Sequence, residues 1–264
     1  MQIPGRMIIP FIHAASVDMD NRPKLFYTGS MTRVPQSLPE IRAVACDIDG
    51  TLYPSAAINL HCLDLLVQHP LLLSAFARVR REIRLLQQEP GYAPRSQSEL
   101  HDLQHQLVAR HLGITRERAA SLVQSIFYHE VPSRFGHIVP FAGVFEALAS
   151  VRRRKIMLAA LSDLPVHPKL ELLGLDQQFD LALCSETWGR LKPDPLVFRQ
   201  LCASLGCGPE QVLYVGNNPH YDIEGARAVG MHTAYLGRHR IPADFTFTRW
   251  SELLQWLETL PSSQ

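Results

Sequence analysis

The 264-residue chain has 46% apolar residues and a net charge of +1. That length can bury a substantial core in one large domain or two modest ones. Near-neutral charge excludes the electrostatic footprint of a nucleic-acid or membrane-surface binder. Five cysteines (46, 62, 184, 202 and 207) are odd in number and contain no Cys-x-x-Cys pair. They fit a reducing cytoplasm better than a disulfide framework or a zinc cage. No apolar run approaches the ~20 residues a membrane helix needs. The run Met7-Ile8-Ile9 behind Arg6 is too short for a signal peptide and is interrupted by Pro10.

Residues 1–39 carry five prolines without sustained periodicity and read as a loosely ordered extension. Ile41 to Asp47 reads as a buried parallel strand. After Tyr53-Pro54-Ser55 the pattern turns helical. Leu60, Leu63, Leu66 and Val67 form one apolar stripe; Phe76, Val79, Ile83 and Leu86 form another. Arg78, Arg80, Arg81 and Arg84 fall largely off the second stripe and read as a solvated face. Residues 87–95 form a loop around Pro90, Gly91 and Pro94. Ser96 to Glu99 has capping-box form ahead of a helix ending at Gly113, and another helix follows. Residues 55–135 thus read as an all-helical insert in a core made of residues 40–54 and 136–264.

From Gly143 onward helix and strand alternate. Strands are expected at Ile156–Leu161, Phe179–Cys184, Val212–Val215 and, last, His232–Leu236. Helices are expected at Val144–Val151, ahead of Gly174, at Pro195–Leu205, at Glu224–Val229 and from Trp250 to Leu260. This order predicts an α/β fold, a Rossmann-like parallel sheet with helices on both faces, plus the small all-helical domain.

The strand ends carry the chemistry. Asp47 and Asp49 stand i, i+2 at the end of the first strand, followed by Gly50 and Thr51. Their like charges call for a cation or a shared proton, although Asp-x-Asp-Gly is also ordinary turn chemistry. Ser162 and Asp163 end the second strand, and Asn217 and Asp222 follow the fourth. Lys192 lies on a loop stiffened by Pro193 and Pro195. A parallel sheet gathers these ends along one edge. Acids for a divalent cation, a hydroxyl, an ammonium and a nucleophile are what phosphoryl transfer needs.

Four segments, Asp47-Ile48-Asp49-Gly50-Thr51-Leu52, Leu161-Ser162-Asp163, Leu191-Lys192-Pro193 and Val215-Gly216-Asn217 with Asp222, resemble the ordered motifs of the haloacid dehalogenase-like (HAD) hydrolases. The resemblance spans residues 41–238, and the helical insert is similar to that family's cap. It implies a phosphatase cleaving a small phosphomonoester through an aspartyl-phosphate on Asp47. Asp49 would be general acid and base, Ser162 a hydrogen-bond donor to the phosphoryl group, and Lys192 its charge partner. Gly50, Thr51 and Asp163 would shape the substrate loop. Mg2+ would be held by Asp47, Asp49 (through its carbonyl), Asn217 and Asp222. The partner is then a small phosphorylated metabolite.

One departure stands out: Asn217 occupies a place where the family usually has an aspartate. Asn offers a carbonyl oxygen to a hard cation but no charge. It motivates an alternative, a catalytically weakened protein that binds a phosphorylated ligand or a protein partner; a phosphomutase ranks below both. Asparagine there is also found in the haloacid dehalogenases, but those lack the second acid, Asp49. Taken singly, Ser162 and Asp163 could cap a helix, Lys192 could be a surface lysine, and Asp222 could sit on a helix dipole. Cys46 is expected to point away from the site into the core by strand alternation.

Overall fold

In the computed structural model, which describes residues 40–259, the apolar run around Val44 forms strand β1 (Ala43–Cys46), buried at every position. Ala43 and Ala45 join the apolar cluster on one face of the sheet, and Val44 and Cys46 join the other. Cys46 therefore packs in the core, as alternation requires. The extension at 1–39 and the end of the last expected helix, Leu260, lie outside the described residues.

A helical stretch follows: α1 (Ser55–His61), α2 (Leu63–Gln68), α3 (Pro70–Leu86), α4 (Gln97–Leu112) and α5 (Arg116–Val123). A π-helical turn (Gln124–Glu130), the short α6 (Val131–Ser133) and a 3-10 turn (Arg134–His137) complete it. Ser96 Oγ accepts the Glu99 N–H, capping α4 as expected, while Glu99 reaches back to the N–H of Arg95. Gly113 ends α4 in the left-handed conformation.

The first helical stripe differs from expectation. Val67 and Leu60 are 81% and 65% exposed, whereas Ile58, Cys62 and Leu65 are buried. Positions 58, 62 and 65 share helical spacing just as 60, 63 and 67 do, so periodicity admitted both faces. Tertiary packing selected the one containing Cys62. The second stripe is buried at Phe76, Val79 and Ile83.

The remaining chain alternates: α7 (Val144–Arg153), β2 (Met157–Ser162), α8 (His167–Leu172), β3 (Leu181–Cys184), α9 (Pro195–Leu205) and β4 (Val212–Gly216). A π-helical turn (Pro219–Glu224) runs into α10 (Gly225–Arg227), then β5 (His232–Leu236), β6 (Phe245–Phe247) and α11 (Trp250–Thr259). All strands pair in parallel, in the order β3-β2-β1-β4-β5-β6. The sheet is Rossmann-like: β1 is central, and the chain leaves it first toward β2 and β3, then returns to its other side as β4. The carboxyl end of β1 is thus the switch point where such sheets bind ligands. Helix α9 covers one face, and α7, α11 and the helical stretch pack on the other.

Strand β6 was not expected, since three residues ending in Phe247 carry too short a pattern. It matters because it leads into α11, whose first residue, Trp250, is buried. The Trp250 indole N–H donates to the Thr51 carbonyl at 3.0 Å, pinning the loop after β1. Trp250→Phe leaves that buried carbonyl without its donor and should cost about 1–3 kcal/mol. A lower midpoint in urea unfolding at unchanged m-value checks this.

Candidate active site

Asp47 continues β1 with its N–H still paired to the Val215 carbonyl, so the neighbouring strand fixes its backbone. Gly50 then turns the chain with φ +87°, and a Cβ there would lie 2.3 Å from the Asn217 amide nitrogen. Only glycine allows the loops after β1 and β4 to approach this closely. Across the site, a Cβ on Gly216 would lie 2.4 Å from that of Asp222, so this glycine also makes room for the second acid.

Asp47, Asp49, Ser162, Asp163, Lys192, Asn217 and Asp222 all line one cleft of about 40 Å³, together with Arg84, Leu164, Asn218 and Tyr221. Lys192 Nζ lies 2.6 Å from both Asp47 Oδ1 and Asp222 Oδ1, bridging the two acids. Thr51 Oγ1 donates to Asp47 Oδ2 at 2.8 Å and also reaches Asn217 Oδ1 at 3.3 Å. Asp222 Oδ2 accepts the Asn218 N–H. The Asn218 side chain in turn caps the N–H groups of His220 and Tyr221, holding the turn that presents Asp222.

Two carboxylates face one ammonium here. Burial and then the nearby Asp222 charge push the Asp47 carboxyl up to about 7, against the pull of Lys192. Burial alone would lower Lys192, but Asp222 and Asp47 hold it well above the usual lysine range. The excess negative charge leaves room for a cation. Among the described residues no three His, Cys, Asp or Glu side chains form a ready-made metal cage. The oxygens within reach are those of two acids, the Asn217 amide and backbone carbonyls. Such a hard donor set fits a magnesium ion that keeps several of its waters.

Asp49 has separate partners. Its Oδ1 accepts from Tyr53 Oη at 2.7 Å, and its Oδ2 accepts from Ser162 Oγ at 2.9 Å and Lys169 Nζ at 2.5 Å. Burial would raise this carboxyl, but Lys169 and the hydrogen bonds hold it below the ordinary range. Nothing in the sequence pattern marks Lys169, which lies on α8 seven residues after Ser162 and is 2% exposed.

Asp163 lines the cleft, but its oxygens are taken up by the scaffold. Oδ1 accepts from Ser185 Oγ and from the Lys192 N–H, and Oδ2 accepts from Arg84 at 2.8 Å. Burial would raise its carboxyl, but Arg84 foremost, then Lys192 and Arg80, hold it low.

The arginines of α3 correct the solvated-face reading. Arg78 and Arg81 are exposed, but Arg80 and Arg84 are buried. These two stand i, i+4, so they share a face beside the apolar stripe, and that face meets the acids. Arg84 also donates through Nε to the Lys192 carbonyl and stacks over Tyr221. Arg80 pairs with Glu186, which also receives Tyr128 Oη at 2.9 Å and meets His101 Nε2 at 3.0 Å. Burial alone would raise Glu186, yet Arg80 and His101 hold it low. A larger groove of about 630 Å³ runs between Leu86 and Arg116 and contains none of the strand-end acids.

Fold and site together define an α/β protein that gathers paired carboxylates at the switch point of a parallel sheet. The haloacid dehalogenase-like hydrolase family model matches residues 41–230, and the chain belongs to that family. It is 29% identical to a phosphoserine phosphatase of Thermus thermophilus over 234 residues, covering 77% of this chain and 92% of the relative. It is also 29% identical to a glyceraldehyde 3-phosphate phosphatase of Methanopyrus kandleri over 206 residues, 75% of this chain and 84% of the relative. Among solved structures, an L-2-haloacid dehalogenase of Xanthobacter autotrophicus superposes with a TM-score of 0.61 at 17% identity. It covers 84% of this chain and all of that one, and shares the fold.

Two outcomes follow from the charge arrangement. Arg80→Met takes the guanidinium from a fully buried Glu186, leaving Tyr128 and His101 as its partners, and should cost about 3 kcal/mol, read from denaturant unfolding. In cation-free buffer, Asp47→Asn should be more stable than the native protein. The native Asp47 carboxyl binds its proton more tightly than the unfolded one (about 7 against 3.8), so the native state loses stability as pH rises through that window. The variant's advantage therefore grows between those pH values and levels off above them. Thermal melts across that range check the sign.

Proposed function

We propose that this hydrolase is a magnesium-dependent phosphatase of small phosphomonoesters that works through an aspartyl-phosphate on Asp47. The observation that carries the reading is the division of labour between two adjacent acids. Asp47 is tied to Lys192, and Asp49 is tied to Tyr53, Ser162 and Lys169. Once a cation beside Asp47 offsets the burial and the Asp222 charge that raise its carboxyl, that acid is an anion available for attack. Asp49, ringed by two hydroxyls and an ammonium, is placed for proton exchange. The named activities of the two curated relatives support the same reading.

An Asp47 oxygen attacks phosphorus while the bond to the ester oxygen breaks, and Asp49 delivers its proton to that leaving oxygen. Water then attacks the acyl phosphate, Asp49 takes up a proton, and the Asp47 carboxylate returns as inorganic phosphate departs. Lys192 offsets charge on Asp47 and on the phosphoryl oxygens, and Ser162 donates to one of them. Asp47, Asp222, the Asn217 amide oxygen and the Asp49 carbonyl would hold magnesium, which when bound would supply charge neutralisation at the phosphoryl group. Arg84, Leu164 and Tyr221 line the same cleft as the acids and are the side chains placed to meet the alcohol portion of the substrate.

Phosphate release from phosphoserine, glyceraldehyde 3-phosphate and phosphoglycolate, with magnesium and with chelator, tests the reading. Turnover should require the metal and should fall on the order of 10⁴-fold or more in Asp47→Asn. Equal turnover in chelator, or an active Asp47→Asn, refutes it.

A further inference from the structure

Lys169, on α8 and outside the recognised motifs, is a buried cation that reaches Asp49 directly. Its Nζ lies 2.5 Å from Asp49 Oδ2 and 3.3 Å from Ser162 Oγ, and it faces the Phe135 ring at 5.7 Å. A buried ammonium requires a partner, and the contacts of this one are Asp49, Ser162 and an aromatic face. Phe135 is fully buried and packs edge-on against Tyr53, whose hydroxyl holds the other oxygen of Asp49. Asp49 thus sits in a cradle with a donor to Oδ1 from the β1 loop and donors to Oδ2 from β2 and α8. Among the described residues, Lys169 supplies the positive charge in that cradle, because Lys192 is engaged on Asp47 and Asp222.

We infer that Lys169 is a positioning residue that holds Asp49 where it can hand its proton to the leaving oxygen and later accept one from water. Without Lys169, Asp49 keeps two neutral donors, and its carboxylate is free to turn away from the ester oxygen. The inference rests on the phosphatase reading, in which Asp49 is the acid and base. The loss should therefore follow how much the leaving group needs a proton. A fault in folding or in substrate binding would not discriminate in this way.

The test compares kcat/KM for phenyl phosphate, whose leaving oxygen needs protonation, with that for 2,4-dinitrophenyl phosphate, whose leaving oxygen does not. Both are measured with magnesium on the native protein, Lys169→Met, Lys169→Gln and Lys169→Arg. Because kcat/KM reports the step up to leaving-group departure, later hydrolysis of the aspartyl-phosphate does not mask it. In Lys169→Met, phenyl phosphate should fall roughly 10- to 100-fold and the dinitrophenyl ester less than about threefold. Lys169→Gln keeps a polar end without charge and should behave alike, so it carries the comparison should the apolar variant not fold. Lys169→Arg should keep the ratio of the two substrates within about threefold of the native value. Equal losses on both esters, or none on either, overturn the inference. If the native protein releases phosphate from neither these esters nor the three metabolites named above, the phosphatase reading itself has failed.

Discussion

The bridge that Lys192 makes between Asp47 and Asp222 is the constraint around which the site is built. At an effective dielectric constant of about 20, two unit charges about 4 Å apart interact by about 4 kcal/mol, comparable to the whole margin by which a domain stays folded. Two buried carboxylates at one strand end therefore demand a cation placed with little freedom. The loop carrying Lys192 is accordingly tied at its backbone on both sides: its N–H donates to Asp163 and its carbonyl accepts from Arg84. Charge balance at the end of β1 thus reaches through Asp163 and Arg84 into α3, which begins more than twenty residues downstream.

The same balance gives Asn217 a physical sense. Its amide packs against Gly50 and receives the Thr51 hydroxyl, which also serves Asp47. An aspartate there would place a third carboxylate beside a pair that already exceeds its ammonium. The neutral oxygen keeps a donor for a hard cation without deepening that deficit.

Much of this was legible in the chain. The parallel sheet followed from apolar runs alternating with helical periods, and the strand-end acids, Ser162 and Lys192 follow from where those runs stop. What escaped reading has a common physical cause: it depends on contacts between segments far apart in sequence. Lys169 resembles any helix lysine until α8 is docked beside the β1 loop. Arg80 and Arg84 resemble a solvated face until Glu186 and Asp163, from two other loops, are brought against them. The choice between the stripe of Ile58 and that of Leu60 was open for the same reason, since periodicity gives a spacing without saying which face meets the core.

One turn of α3 separates Arg80, tied to Glu186 and to the Asp163 carbonyl, from Arg84, tied to the Asp163 side chain and the Lys192 carbonyl. A shift of that helix by a single position would break both sets at once. The constraint on this site is therefore uneven. The register of α3 is locked to the acid–lysine bridges, and Tyr221 shares in that lock through its stack on Arg84, whereas the Leu164 side chain borders the cleft outside them.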